Sequence, residues 1–379
     1  MGLLSRSNRK SIFLVLVIFC VLVIASCPMN PGDGSFLDDI PTAAEVGEPL
    51  FSVVPLLNDD FVSIVPLVNL NPTGHTFPTG HHYLYLTDPG AAVPIYAPGR
   101  IWVTMINSSY HHIADFTDYS IIFYGCREVK AYFGHVSALA GGVLDAFMNA
   151  PVGSSDTYST SGETYTVTDK TVFVEVNAGT LIGYAGNAGS LAMDFGVVDE
   201  RVTHGFANPA KFSGKDYLSA VPCMGYFTAT PRSYLENACG EYDGSTQRTV
   251  PPIGGTIEQD IAGTAQGIWF LPGQPTYPED PHLALVHDNV DPAQPVFSVG
   301  NSIPGLSSGT YSYTPVASGT VHRDFGEITT DGNIYIFHFG TESTILLEML
   351  FDTSLKIERQ NYSDVGPYSF TGNAVLFER

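Results

Sequence analysis

Glycine fills 38 and proline 26 of the 379 positions, and they recur too often for long helices to form between them. Within a helix, glycine costs about 1 kcal/mol relative to alanine and proline about 3 kcal/mol, so a helical bundle is excluded. Short apolar or alternating runs lie between these breakers, bounded by Gly, Pro, Asn and Asp: 50–56, 62–69, 82–87, 101–107, 119–125, 129–135, 163–176 and 191–198. A second series follows near 266–271, 283–287, 309–315, 333–339, 344–350, 354–358 and 373–378. Runs of this length and alternation are strands, and the expected fold class is mainly β. Two short helices are predicted. One lies in LAGGVLDAFMNA at 139–150, the other over 233–238, where Thr230-Pro231 supply a cap and a first-turn proline and Gly240 ends the segment.

A chain that is 44% hydrophobic and 14% charged can bury ordinary cores, which excludes disorder for the bulk. The formal charge of −22 excludes nucleic acid as a partner, since counterion release needs clustered Lys and Arg. The first segment sets the compartment. Arg6, Arg9 and Lys10 precede an unbroken apolar run at 12–24, shorter than the roughly 20 residues of a membrane span and suited to an export signal. Ile24-Ala25-Ser26-Cys27 resembles the bacterial lipoprotein cleavage box, which implies lipidation of Cys27 and an extracytoplasmic, membrane-anchored protein. Removing residues 1–26 would take the charge from −22 to −25, so membrane contact is expected through the lipid and not a basic face. Pro28 at the next position points to the outer membrane where two are present.

The expected organisation is a signal peptide at 1–26, a Pro/Gly-rich tether at 27–45, a β domain at 46–205, a linker with a short helix at 206–245 and a C-terminal β domain at 246–379. Cys223 and Cys239 are either a disulfide pair or reduced thiols, and Cys126, within an apolar run, is expected to be buried. The C-terminal domain is a barrel or a sandwich. Its aromatics, Trp269, Phe270, Tyr311, Tyr313, Phe325, Tyr335, Phe337 and Phe339, either pack its core or line a site for an apolar ligand or sugar.

Three segments of the first β domain carry a resemblance, in order: Val93-Pro94-Ile95-Tyr96-Ala97-Pro98-Gly99; Ala131-Tyr132-Phe133-Gly134-His135-Val136-Ser137; and Asn177-Ala178-Gly179 through Gly183, Gly186 and Gly189, followed by Leu191-Ala192-Met193-Asp194-Phe195. Together they resemble the lysostaphin-type zinc metallopeptidases that cut peptidoglycan cross-bridges. The resemblance implies a curved antiparallel β-sheet with a groove on its open face, a catalytic role for His135 and peptidoglycan as partner. It also exposes departures. The family's "H-x-H" is Ala192-Met193-Asp194 here, and no His in the stretch holding His75, His81 and His82 has an Asp at the family's offset. Two readings follow. In one, His75, His81 and Asp194 form a rearranged zinc site with His135 as proton donor or oxyanion stabiliser. In the other, the metal is lost, no cofactor is used, and the domain binds wall peptide or a partner envelope protein without efficient hydrolysis.

His111-His112, after Asn107-Ser108-Ser109-Tyr110, are expected in a hairpin loop as a solvated turn or a ligand pair. Asn107-Ser108-Ser109 fits a glycosylation acceptor that a bacterium would not use. His287 has the opposite strand parity from His282, so a metal shared by His282, His287 and Asp288 is not expected. No nucleophile elbow, phosphate loop or dinucleotide fingerprint occurs.

Overall fold

The computed structural model describes residues 36–379, except 161, 188–189, 213–215, 342 and 363–365. The signal segment, Cys27 and residues 27–35 of the expected tether lie outside the described residues. The fold is mainly β, built from antiparallel sheets. The first half contains β1 (Phe61–Val65), β2 (His81–Leu86), β3 (Ala92–Tyr96), β4 (Ile101–His111), β5 (Phe116–Cys126), β6 (Val129–Leu139), β7 (Ser154–Thr160), β8 (Glu163–Val176), β9 (Leu181–Gly186), β10 (Ala192–Asp199) and β11 (Ala220–Val221). These eleven strands form one sheet with the main order β1-β2-β10-β6-β5-β4-β8-β7, while β9 pairs with β3 and β6 and β11 with β10.

One face of this sheet builds the larger core. Period-two alternation sends Val129, Ala131 and Phe133 of β6 and Met193, Phe195 and Val197 of β10 to that side. After a short helix α1 (Ala43–Val46), helices α2 (Gly141–Asn149) and α3 (Ala229–Asn237) meet them through Val143 and Leu235. Phe133 and Phe195 pack with ring centroids 4.9 Å apart, and Phe51 lies 5.2 Å from Phe227. Each such buried ring contributes about 1.5–3 kcal/mol.

The stretch 206–245 does more than link. Val221, Cys223, Met224, Phe227, Leu235 and Cys239 are in the larger core, and α3 starts at Ala229 behind Thr228, so Thr230-Pro231 fall inside its first turn. Cys126, Cys223 and Cys239 are buried free thiols. The end of the expected tether is docked as well: Ile40 is buried against Trp102 and Tyr124, and the Arg127 guanidinium donates to the carbonyls of Asp38 and Ile40.

The C-terminal half holds β12 (Gly267–Trp269), β13 (Leu283–His287), β14 (Pro295–Val299) and β15 (Gly309–Ser312) in one sheet. A second contains β16 (Tyr335–Phe339), β17 (Ser343–Phe351), β18 (Ser354–Asn361) and β19 (Val375–Glu378). Both sheets feed one core: Trp269, Leu285 and Phe297 from the first meet Phe337, Leu347 and Ile357 from the second. The two sheets face this shared core, and a bridge between Phe270 and Glu378 joins their edges. Trp269, Tyr313, Phe325, Tyr335 and Phe337 are spent on the core's interior, with Tyr311 and Phe339 packed at its margin. A third cluster joins the two halves, with Phe77, Phe206, Phe212 and Ile257 against Ile268 and Phe270.

Candidate functional site

The sheet face opposite the larger core carries polar residues. On β2 the alternation puts His81 and Tyr83 on that face and His82 and Leu84 on the core side. In the antiparallel β2–β10 pairing Asp194 stands directly across from Tyr83, so the two side chains share a face. His135 needs a special device. Phe133 and Val136 of β6 both enter the core, leaving two residues between them where strict alternation allows one. The β5 register shows the extra residue: Tyr119 pairs with Val136 and Ile121 with Phe133. This β-bulge, with His135 at φ 55°, turns the imidazole away from the core and toward Asp194.

The result is an alternating row of bases and acids across five strands. His81 Nε2 lies 3.8 Å from Asp194 Oδ2, and His135 Nε2 lies 3.6 Å from the same oxygen. His135 Nδ1 donates to Asp118 Oδ2 at 3.0 Å, and His111 Nε2 is 3.4 Å from Asp118 Oδ1. None of the five is more than 9% exposed, so none is screened by bulk water. Burial opposes charge on His135, but Asp194 and Asp118 together outweigh it and lift the imidazole to about 9. Burial raises Asp194 to about 6, with His135 pulling it back. Asp118 would rise through burial too, yet its hydrogen bonds with His111 and His135 hold it below the ordinary carboxylate value. At neutral pH the centre of the row is an imidazolium between two carboxylates.

His75 and His81 are neutral. Burial lowers His75 to about 4, with His135 adding to the effect, and drives His81 well below its ordinary value. Tyr132 Oη lies 3.1 Å from His81 Nδ1. We assign the tautomer in which Tyr132 donates to Nδ1, which leaves the proton on Nε2 facing Asp194. His81 Nε2 and Asp194 Oδ1 are buried without a hydrogen-bond partner in the protein.

All four sequence-predicted site residues, His75, His81, His135 and Asp194, are therefore in one neighbourhood; the His75 ring is 5.8 Å from that of His81. His82 is not among them: its Nδ1 lies 3.0 Å from the Val65 carbonyl and its Nε2 accepts from the Cys223 amide. The sequence reading missed Asp118, Tyr132 as a partner of His81, and His111. Far from a solvated turn, His111 ends β4, stacks on Phe116 at 4.0 Å and is buried, while His112 is exposed. The signal that could have found Asp118 is a lone acid on the face of β5 opposite Tyr119. His282 and His287 stay apart from the row: His282 stacks on Phe77 at 5.2 Å and His287 pairs with Asp324 at 3.0 Å.

The His81 end of the row is covered, with the His75 ring 6.5 Å from that of Tyr83. The segment 66–80, which carries His75, is fastened by Phe77 N donating to Glu279 Oε2 at 2.7 Å and by Tyr217 Oη donating to the Pro78 carbonyl at 2.7 Å. Lys130, beside Tyr132 on the same face, pairs with Asp216 at 2.5 Å. A cleft of about 430 Å³ elsewhere is lined by Pro41, Glu45, Leu50, Arg100, Trp102 and Gly125 and by none of the row's residues.

Among the described residues no three His, Cys, Asp or Glu side chains are placed to hold a metal. His81 Nε2 and His135 Nε2 approach the same Asp194 oxygen at 3.8 and 3.6 Å, and these three side chains pair with one another and do not converge on a common point. The residues do not fit a zinc centre. Gly196 keeps the local geometry: its cross-strand partner is Tyr132, and a Cβ at 196 would fall inside that ring. Gly196→Ala should therefore cost about 1–3 kcal/mol in urea unfolding, whereas Gly142→Ala, facing open space, should cost nothing.

The sequence matches no protein-family model, no curated protein and no solved structure. Among the described residues no helix is long and apolar enough to cross a membrane.

Proposed function

We propose that this is a lipid-anchored protein of the bacterial envelope whose first sheet is a lysostaphin-type scaffold that binds cell-wall peptide or a partner protein without hydrolysing it. Cys27 would carry the lipid. The observation behind this reading is the imidazolium of His135 buried between Asp118 and Asp194. A row this buried offers its acids no open groove in which to hold a polymer. Two further features agree: Ala192 removes one imidazole of the family's last motif, and Tyr85, four residues after His81, stands where its early segment needs an acid. The partner then meets the outer surface of the molecule and not the buried row.

The test uses the full-length chain in detergent, incubated with micromolar zinc, desalted and subjected to elemental analysis. The expected results are no stoichiometric zinc, no soluble fragments released from purified peptidoglycan, and co-sedimentation with that peptidoglycan or with an envelope protein. One zinc per chain, lost in Asp194→Ala, would overturn the reading in favour of a rearranged metallopeptidase.

A further inference from the structure

The two ends of the eleven-stranded sheet are treated differently. At one end β1 is broken by a register shift between Phe61 and Ser63 and covered by the 238–240 segment, whose Gly240 amide donates to the Ile64 carbonyl. At the other end β7 pairs only with β8 among the described elements. Its seven residues keep one unbroken register, from Ser154 opposite Asp169 to Thr160 opposite Glu163. Residues 155, 156, 157 and 159 are exposed. Natural edges are normally protected by charged side chains, above all lysine, by proline, a bulge or a covering loop; SSDTYST has no lysine, proline or bulge, and Asp156 is its one charge.

The sequence of this edge is symmetric about Thr157. Ser155 and Ser159 are equidistant from it on one face, and Asp156 and Tyr158 on the other. Within the hairpin, that first face already pairs hydroxyl with hydroxyl: Ser155 with Thr168 at 3.1 Å, Thr157 with Thr166 at 2.9 Å and Ser159 with Thr164 at 2.8 Å. We propose that β7 is a homodimer edge, on which a second copy of this chain adds antiparallel about a two-fold axis at Thr157. In that register Ser155 faces Ser159 of the second copy and Thr157 faces its own counterpart, which continues the hydroxyl ladder across the axis. The strand's one charge, Asp156, faces Tyr158 of the second copy and not another carboxylate. A seven-residue ladder is a small interface, so the dimer is weak and reversible. With each copy at −22, association should strengthen as salt screens the repulsion.

Sedimentation velocity on the full-length chain in density-matched detergent tests this. The wild type should show a reversible monomer–dimer equilibrium at tens of micromolar that shifts toward dimer with added salt. Thr157→Lys puts two ammonium groups face to face and Thr157→Asp two carboxylates, so each alone should be monomeric, while an equimolar mixture of the two should recover the dimer. Position 157 is exposed, and both variants should keep the wild-type circular dichroism. A wild type that stays monomeric throughout, or a Thr157→Lys chain that dimerises as well as the wild type, would overturn the proposal.

Discussion

Asp118→Ala is expected to destabilise the folded chain by about 3–5 kcal/mol, the usual cost of removing one partner from a buried ion pair. The size follows from what Asp118 serves. One of its oxygens accepts from His135 at 3.0 Å and the other lies 3.4 Å from His111, and neither imidazole has bulk water to turn to. Truncation leaves the charge on His135 with Asp194 alone, at 3.6 Å, and leaves His111 wedged between Phe116 and Tyr165. Asp118→Asn keeps the shape and one acceptor, so it should cost less than the alanine variant. Equilibrium urea denaturation followed by tryptophan fluorescence measures both. A loss below about 1 kcal/mol for Asp118→Ala would mean that water reaches the row and that it is not the closed network described above.

That network is a consequence of sheet parity. One face of β10 gives Met193, Phe195 and Val197 to the core, so the intervening Asp194 has to face the other way. The same alternation on β2 and β5 aligns His81 and Asp118 with it. Only β6 breaks step, and the break is what turns His135 outward. Burial then keeps water from the row, which makes each pairing in it matter more. In the sheet, the bulge and the row are one design: without the extra residue at 134–135, His135 would share the core face with Phe133 and Asp194 would be buried without a cation.

Much of this was legible beforehand. Apolar runs located β1, β2, β4, β5, β6, β8 and β10 to within a few residues, because each of those strands sends apolar side chains into the larger core. The runs failed where burial does not decide. Strand β7, SSDTYST, carries no apolar period and is held by backbone pairing and hydroxyl contacts to β8. The end of β4 was missed because its buried positions, Ser109 and His111, are polar, so His111 read as loop. His75, His81, His135 and Asp194 were found through motif order, and the structure does gather them. Their partner Asp118 lies in a different segment, and a bulge cannot be read from alternation that looks unbroken. The stretch 206–245 read as a linker because its apolar residues are scattered; they are scattered because they plug two different cores.

Stability should fall as pH rises from about 6.5 through about 9, and most of that fall should disappear in His135→Gln. The folded-state imidazole of His135 is raised to about 9 by its two carboxylates against the opposing effect of burial, while in the unfolded chain it titrates near 6.5. A group raised on folding contributes its full stabilisation below the unfolded value and loses it as pH climbs through the folded one, here on the order of 3 kcal/mol across the window. Asp194, raised to about 6 chiefly by burial, is an acid, so its favourable contribution belongs to its protonated form and is already gone by pH 7. Glu279, raised to about 8 by burial despite accepting from the Phe77 amide, loses its contribution between about 4.5 and 8 and adds to the slope from a different place. The difference between wild type and His135→Gln separates the two, since Glu279 titrates in both. Urea midpoints at pH 6.5, 8 and 9.5 for both chains suffice. A His135→Gln chain whose midpoint falls as steeply as the wild type between pH 8 and 9.5 would show that His135 is not the buried cation, and the closed reading of the site would fail with it.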